Sequence, residues 1–258
     1  VNVRFYAALG LLGGSYVALI VALLVADAVN TSPEHLAKAL ASPEIRSAIL
    51  LSLVSCSISA AMSILVAVPL GYLLARTRFP GRAVLDWLVD VPIVLPPVVL
   101  GLSLLILFQT PPGLFVQQRI PITYAVPAVI LAQFTAAAAF AVRSMRGTFE
   151  QLSPRTEGVA LTLGCTRAQA FWRIAIPEAR RGILAAGTLA WAKSLGEFGP
   201  VLLFAGATRN KTEVLSTSVF FEMSVGNLEA ALAVSVLMIA VALAVLGLLR
   251  GIDRRRGW

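Results

Sequence analysis

The chain has 258 residues, of which 58% are hydrophobic and 13% charged, and it carries a net charge of +8. A soluble domain has about 25% charged residues, so this composition excludes one. The apolar residues gather in runs of roughly 20, the length a helix needs to cross a hydrocarbon layer about 30 Å thick. The basic excess lies beside the ends of those runs, where arginines set topology, and does not point to nucleic acid.

Six membrane spans are predicted, at 5–26, 45–74, 88–108, 122–142, 183–204 and 228–249. The fold class is therefore an all-α polytopic membrane protein, and 1–258 reads as one transmembrane domain. Gly10, Gly13 and Gly14 thin one side of the first span and suit close packing against a neighbour. Ala26-Asp27-Ala28 mimics a signal-peptidase site. The apolar run before it is longer than a typical signal-peptide core and only Arg4 is basic ahead of it, so the segment is expected to be retained.

The second span opens at Ser42-Pro43-Glu44, a helix-start signal, and is longer than one straight crossing requires. Pro69 and Gly71 are expected to kink or loosen its far end. The third span holds Pro92, Pro96 and Pro97, each of which removes a backbone donor. Two readings stay open for it: a structural kink near the helix start, or a broken helix lining a pathway. Asp86 and Asp90 are read as an interfacial helix-start feature.

The lysines and arginines of the connections divide fifteen against five between the two faces. The richer set includes Arg76, Arg78 and Arg82, the arginines from Arg143 to Arg181, and the Arg254-Arg255-Arg256 tail, read as a headgroup anchor. That asymmetry places both termini and the connection 150–181 in the cytoplasm of a multi-pass cell-membrane protein. Within this connection the stretch 157–177, EGVALTLGCTRAQAFWRIAIP, is too polar to span and too helical for a plain loop. Gly164 divides it, Arg167 and Arg173 keep it out of hydrocarbon, and Pro177 ends it. Glu157 is expected to stand exposed for a cation across an interface, with Phe171 and Trp172 anchoring the stretch to the protein's own helices.

Few residues could support catalysis. Cys56 and Cys165 are the only cysteines, in no CxxC pattern, and His35 is the only histidine, so no disulfide, metal site or catalytic group is predicted. No G-x-x-x-x-G-K-[ST] run occurs, so the chain is expected to bind no nucleotide and not to be an enzyme. Lys193 and Glu197 are the charges inside the fifth span. Four residues apart on one expected helical face, they form either a neutralised packing pair or a polar face of a pathway.

The 157–177 stretch resembles the cytoplasmic coupling loop of binding-protein-dependent ABC importer permeases, with an acidic start, a central glycine and a terminal I-x-L-P. Here Gly164 and Ile174-Ala175-Ile176-Pro177 keep the spacing, while Gly158 departs from the usual start. Leu195-Gly196-Glu197-Phe198-Gly199 with Phe204-Ala205-Gly206 is similar to a segment of molybdate and sulfate permeases. So is the run from Pro92 to Gly101, and Leu131-Ala132-Gln133-Phe134 with Arg143 leans toward the molybdate branch. The resemblance covers about 42–249.

It implies a type I ABC permease fold and a prokaryotic inner or plasma membrane. The transported species would be a tetrahedral oxyanion, molybdate or tungstate first and sulfate second. The implied partners are a second copy of the chain, two cytoplasmic ATPase subunits holding ATP and Mg²⁺, and an external oxyanion-binding protein. It assigns coupling to Glu157, Gly158, Ala160, Leu163, Gly164, Cys165, Thr166 and Arg167. The pathway or gate falls to Pro96, Pro97, Lys193, Ser194, Gly196, Glu197 and Phe198.

Overall fold

A computed structural model describes residues 3–255, so Arg256 of the basic tail lies outside the described residues, as do the side chains of Arg254 and Arg255. The described residues are almost wholly helical, with no strand among them. Helix α1 spans Val3–Val29, α2 Pro33–Ala41, α3 Pro43–Arg76, α4 Arg82–Val94, α5 Pro97–Gln109, α6 Pro111–Gln117 and α7 Val126–Gln151. Then come α8 Pro154–Thr162, α9 Arg167–Ala170, a π-helical turn Phe171–Ala175, α10 Ile176–Glu178 and α11 Arg180–Leu195. A second π-helical turn, Val201–Ala205, leads to α12 Leu215–Ser224 and α13 Leu228–Arg255.

Four helices are long and apolar enough to cross a membrane: α1, α3, α7 and the 228–249 part of α13. The third expected span is instead two helices, α4 and α5, bent by 113° at Leu95-Pro96, which is a break and not a simple kink. The fifth is corrected as well. Helix α11 ends at Leu195 after 16 residues, and the chain leaves helical geometry at Glu197 and Phe198 before the second π turn. Pro69 does not interrupt α3, which runs unbroken to Arg76.

The core is α3 against α7 and α11. In hydrocarbon there is no hydrophobic drive between helices, so association depends on close packing and interhelical hydrogen bonds. Helix α3 supplies both through a face of Ser52, Ser55, Ser59, Ser63, Ala67 and Gly71, all buried. Small residues of α7, among them Ala137 and Ala141, meet it. A methyl group on Gly71 would lie 2.8 Å from Met145 Cβ and 2.9 Å from the Arg146 nitrogen, so only glycine permits this crossing. The Ser59 hydroxyl donates to the Ile130 carbonyl at 2.9 Å, and the Leu215 amide donates to Ser52 Oγ at 2.9 Å. Helix α1 lies at the edge, its apolar side chains exposed and its packing contacts with α13.

Candidate functional site

The connection after α7 is a rigid helix–glycine–helix knob. Ser153 caps α8, accepting from the Arg155 amide at 3.3 Å, with Pro154 in the first helical position where its missing donor costs nothing. Gly164 ends α8 with φ +89°, a left-handed conformation that a side chain resists. The Cys165 amide then donates back to the Ala160 carbonyl at 3.0 Å, closing a Schellman turn. Thr166 opens α9 with a reciprocal capping box: its hydroxyl accepts from the Gln169 amide, and its own amide donates to Gln169 Oε1 at 2.8 Å. Between two capped ends, little freedom remains at the turn.

What the knob presents is an apolar patch among exposed arginines and polar residues. Leu163 is 80% exposed, Val159 and Trp172 also stand out, and Thr166 and Arg167 flank them. Ala160 and Ala170 are buried underneath, Cys165 and Gly158 are half-buried, and a methyl group on Gly158 would meet open space. The departure at Gly158 therefore has no steric cause in this chain.

Glu157 is not the exposed contact expected of it. It is buried, where Tyr72 Oη donates to its Oε2 at 2.6 Å and Arg76 Nε donates to its Oε1 at 3.1 Å. Arg76 also donates through Nη2 to the Leu152 carbonyl at 2.9 Å, so the end of α3 holds both the start of α8 and the chain before it. Phe171 packs edge-on against Tyr72 at 4.7 Å, as its anchoring role requires, whereas Trp172 faces outward and is corrected. Thr156 donates to Glu178 Oε2 at 3.2 Å and joins the two limbs of the knob.

The second group of expected site residues gathers at two chain breaks that touch. A methyl group on Gly199 would lie 3.0 Å from the Val98 nitrogen and 3.2 Å from Pro97 Cβ. One on Gly101 would lie 2.7 Å from Pro200 Cα. The start of α5 thus meets, backbone to backbone, the segment that follows α11. Pro96, Pro97 and Gly196 are exposed beside this contact, and the Phe198 ring packs at a tilt against Phe220, centroids 4.9 Å apart.

Lys193 and Glu197 do pair, Nζ to Oε1, but across the end of the helix and not along one face of it. Lys193 is half-exposed with its Nζ 5.4 Å above the Phe140 ring, Glu197 is buried, and Ser216 Oγ donates to the Glu197 carbonyl at 3.0 Å. Ser194 faces the core, fully buried.

Asp86 and Asp90 are also reassigned. Gly81 precedes α4, and both aspartates lie beyond the first turn and reach to α7, Asp86 to Arg146 and Asp90 to Arg143 at 3.0 Å. Nothing in the local spacing announces these partners, which lie 60 and 53 residues away. Among the described residues no group of His, Cys, Asp or Glu could hold a metal ion.

A family model described as the binding-protein-dependent transport system inner membrane component matches residues 67–258. The sulfate transport system permease protein CysT of Salmonella typhimurium is 36% identical over 191 residues, 73% of this chain and 69% of that protein. The molybdate/tungstate transport system permease protein WtpB of Thermococcus kodakarensis is 31% identical over 251 residues, 97% of this chain and 96% of that protein. The molybdenum transport system permease protein ModB of Mycobacterium tuberculosis is 35% identical over 230 residues, 87% of this chain and 86% of that protein. A bacterial alginate ABC transporter, solved in complex with an alginate pentasaccharide-bound periplasmic protein, shares the fold. Its TM-score is 0.78 over 98% of this chain and 94% of that one, at 17% identity.

Proposed function

The chain belongs to the binding-protein-dependent transport system inner membrane components, and from that premise we propose that it imports a tetrahedral oxyanion, molybdate or tungstate before sulfate. It is a permease subunit of an ABC importer of the type I family. In the proposed assembly two copies form the translocation unit, with both termini in the cytoplasm. Two cytoplasmic ATPase subunits carry ATP and Mg²⁺, and an external binding protein delivers the anion. The preference for molybdate or tungstate rests on the near full-length likeness to WtpB and on ModB; the likeness to CysT keeps sulfate as the second reading.

The observation that carries the proposal is the capped knob of 153–178. Rigid and apolar at Leu163, Val159 and Trp172, it suits a groove on a soluble subunit better than open cytoplasm, where that surface would face water. Its root at Tyr72 and Arg76 fixes it to the longest helix of the bundle, so a push on the knob moves α3 instead of bending a loop. When the ATPases close on ATP, the paired knobs approach and the bundle rocks from inward- to outward-facing; hydrolysis lets it return. At the touching breaks, Lys193 attracts the passing anion while buried Glu197 keeps that attraction shallow enough for release.

The test is reconstitution of the chain with its ATPase and binding protein in vesicles. Uptake of radiolabelled molybdate, tungstate and sulfate is measured with and without ATP. ATP-dependent uptake of the anion that the binding protein retains supports the proposal. Anion flux through the purified chain alone would make it a passive channel. Gly164→Pro cannot adopt φ +89° and is expected to abolish coupled uptake while the complex still assembles.

A further inference from the structure

We infer that the ion pairs between α4 and α7 are the linkage that carries movement of the cytoplasmic knob to the broken helices at Pro96 and Glu197. The inference rests on the importer reading and assigns Asp86, Asp90, Arg143 and Arg146 as positioning residues for transport.

The contacts form an unbroken physical chain. The knob is held through Glu157 by Tyr72 and Arg76. One residue before Tyr72, Gly71 lets α3 touch the α7 backbone at Met145 and Arg146. Arg146 then reaches out of α7 to Asp86 on α4, and Arg143, one turn away, reaches Asp90 at 3.0 Å. The two pairs run in opposite chain directions, 86 with 146 and 90 with 143, so α4 lies antiparallel along α7. At its far end α4 turns by 113° into α5, whose Pro97, Val98 and Gly101 press on Gly199 and Pro200 just after Glu197.

Helix α4 is lightly anchored to the core. None of its residues is fully buried, and Leu85 and Val89 are its only side chains packed against the core. Val84, Trp87, Leu88 and Val94 point away and are exposed. Besides Leu85 and Val89, two charge pairs set its register on α7: Asp86–Arg146, which is part-buried, and Asp90–Arg143, which is largely exposed. Arg146 has a second carboxylate waiting one turn along its own helix, since its Nε donates to Glu150 at 2.8 Å. When Asp86 leaves, Arg146 stays paired, so α4 can detach or slide without stranding that charge. A sliding step of one turn, about 5.4 Å, would bring Asp86 opposite Arg143 and keep one ion pair in the new register, while Asp90 would exchange Arg143 for solvent. A helix with two such positions, joined to the knob at one end and to the break at the other, is the two-state element that coupling requires.

The test uses the reconstituted importer and reads ATP hydrolysed per anion imported. Asp90→Arg and Arg143→Asp, singly, are expected to raise that ratio roughly two- to thirtyfold, the range that about 0.5–2 kcal/mol of coupling energy gives. The double swap, Asp90→Arg with Arg143→Asp, is expected to return to within about twofold of the parent, because the pair is re-formed in reverse. Should a reversal prevent assembly, Asp90→Asn and Arg143→Gln carry the same expectation at the lower end of that range. Single variants with the parent ratio, or a double swap as uncoupled as the singles, overturn the inference. Absence of ATP-driven uptake by the parent complex counts instead against the importer reading.

Discussion

Glu157→Gln in the isolated chain separates the two roles available to this residue. In the structure its carboxylate accepts from Tyr72 and Arg76, and the Arg76 and Glu157 side chains are only 13% and 11% exposed, so solvent screening is slight. The amide keeps the tyrosine bond through its remaining oxygen but loses the charge of the arginine pair. Charge-assisted hydrogen bonds contribute about 1.5–3 kcal/mol and neutral ones about 0.5–1.5, so the loss is about 1–2 kcal/mol. That raises the detached population of the knob roughly five- to thirtyfold. Arg76→Met should cost more, about 3–5 kcal/mol, because it leaves the carboxylate buried without its cation.

The assay is limited trypsin digestion without any ATPase, since Arg155, Arg167 and Arg173 are exposed in the knob. Cleavage follows the open population when reclosing is fast. If Glu157→Gln is digested at the parent rate in isolation yet loses coupling in the complex, the carboxylate acts across the interface, and the assignment of Glu157 as an internal anchor is wrong.

Gly101→Ala places a methyl group 2.7 Å from Pro200 Cα, so it should destabilise the contact of the two breaks by about 1–3 kcal/mol. A fall in the thermal midpoint of the purified chain measures it, and Gly158→Ala, whose methyl group meets nothing, serves as the silent control. A second expectation concerns pH. Burial pushes the Glu213 carboxyl upward, against the Ser218 hydrogen bond that pulls it down, with Arg209, Glu222 and Glu44 around it. A carboxyl raised in the fold favours folding when protonated, so its contribution is complete below its unfolded value of 4.5 and is lost as pH climbs through the folded value. Glu213→Gln should therefore match the parent in thermal midpoint near pH 4.5 and exceed it increasingly toward pH 8; parallel curves would exclude the effect.

The long apolar runs were readable because one term, transfer into hydrocarbon, decides them. Helices α1, α3, α7 and α13 follow from it. The three Ser-Pro starts, at Ser32, Ser42 and Ser153, each open a helix, so α2 was also readable from Ser32-Pro33-Glu34. The Gly164-to-Pro177 spacing was legible because a left-handed residue is a local requirement. The partners of Glu157, Asp86 and Asp90 were not, since all lie more than 50 residues away and hydrophobic periodicity is silent on where a charge will meet its opposite. The end of α11 was hidden for another reason. Its sequence stays apolar through Leu195-Gly196, and glycine can either continue a helix or end one.

The breaks at Leu95-Pro96 and Glu197 also have to satisfy their backbone. Backbone that leaves helical geometry at membrane depth must find partners in protein or in a water-lined cavity. At Glu197 the accounting is visible: its amide donates to Ser194 at 3.2 Å, Ser216 donates to its carbonyl, and Lys193 meets its carboxylate. At Leu95 the amide still donates to Val91 at 3.0 Å, while Pro96 and Pro97 have none to donate. Pro96, Pro97 and Gly196 are exposed beside the two breaks, while the buried Ser194 Oγ has no hydrogen-bond partner among the described residues and Glu197 Oε1 meets only Lys193. Among the described residues the half-exposed Lys193 is the only group that meets the buried Glu197 carboxylate, so removing the lysine would leave that charge buried without its cation.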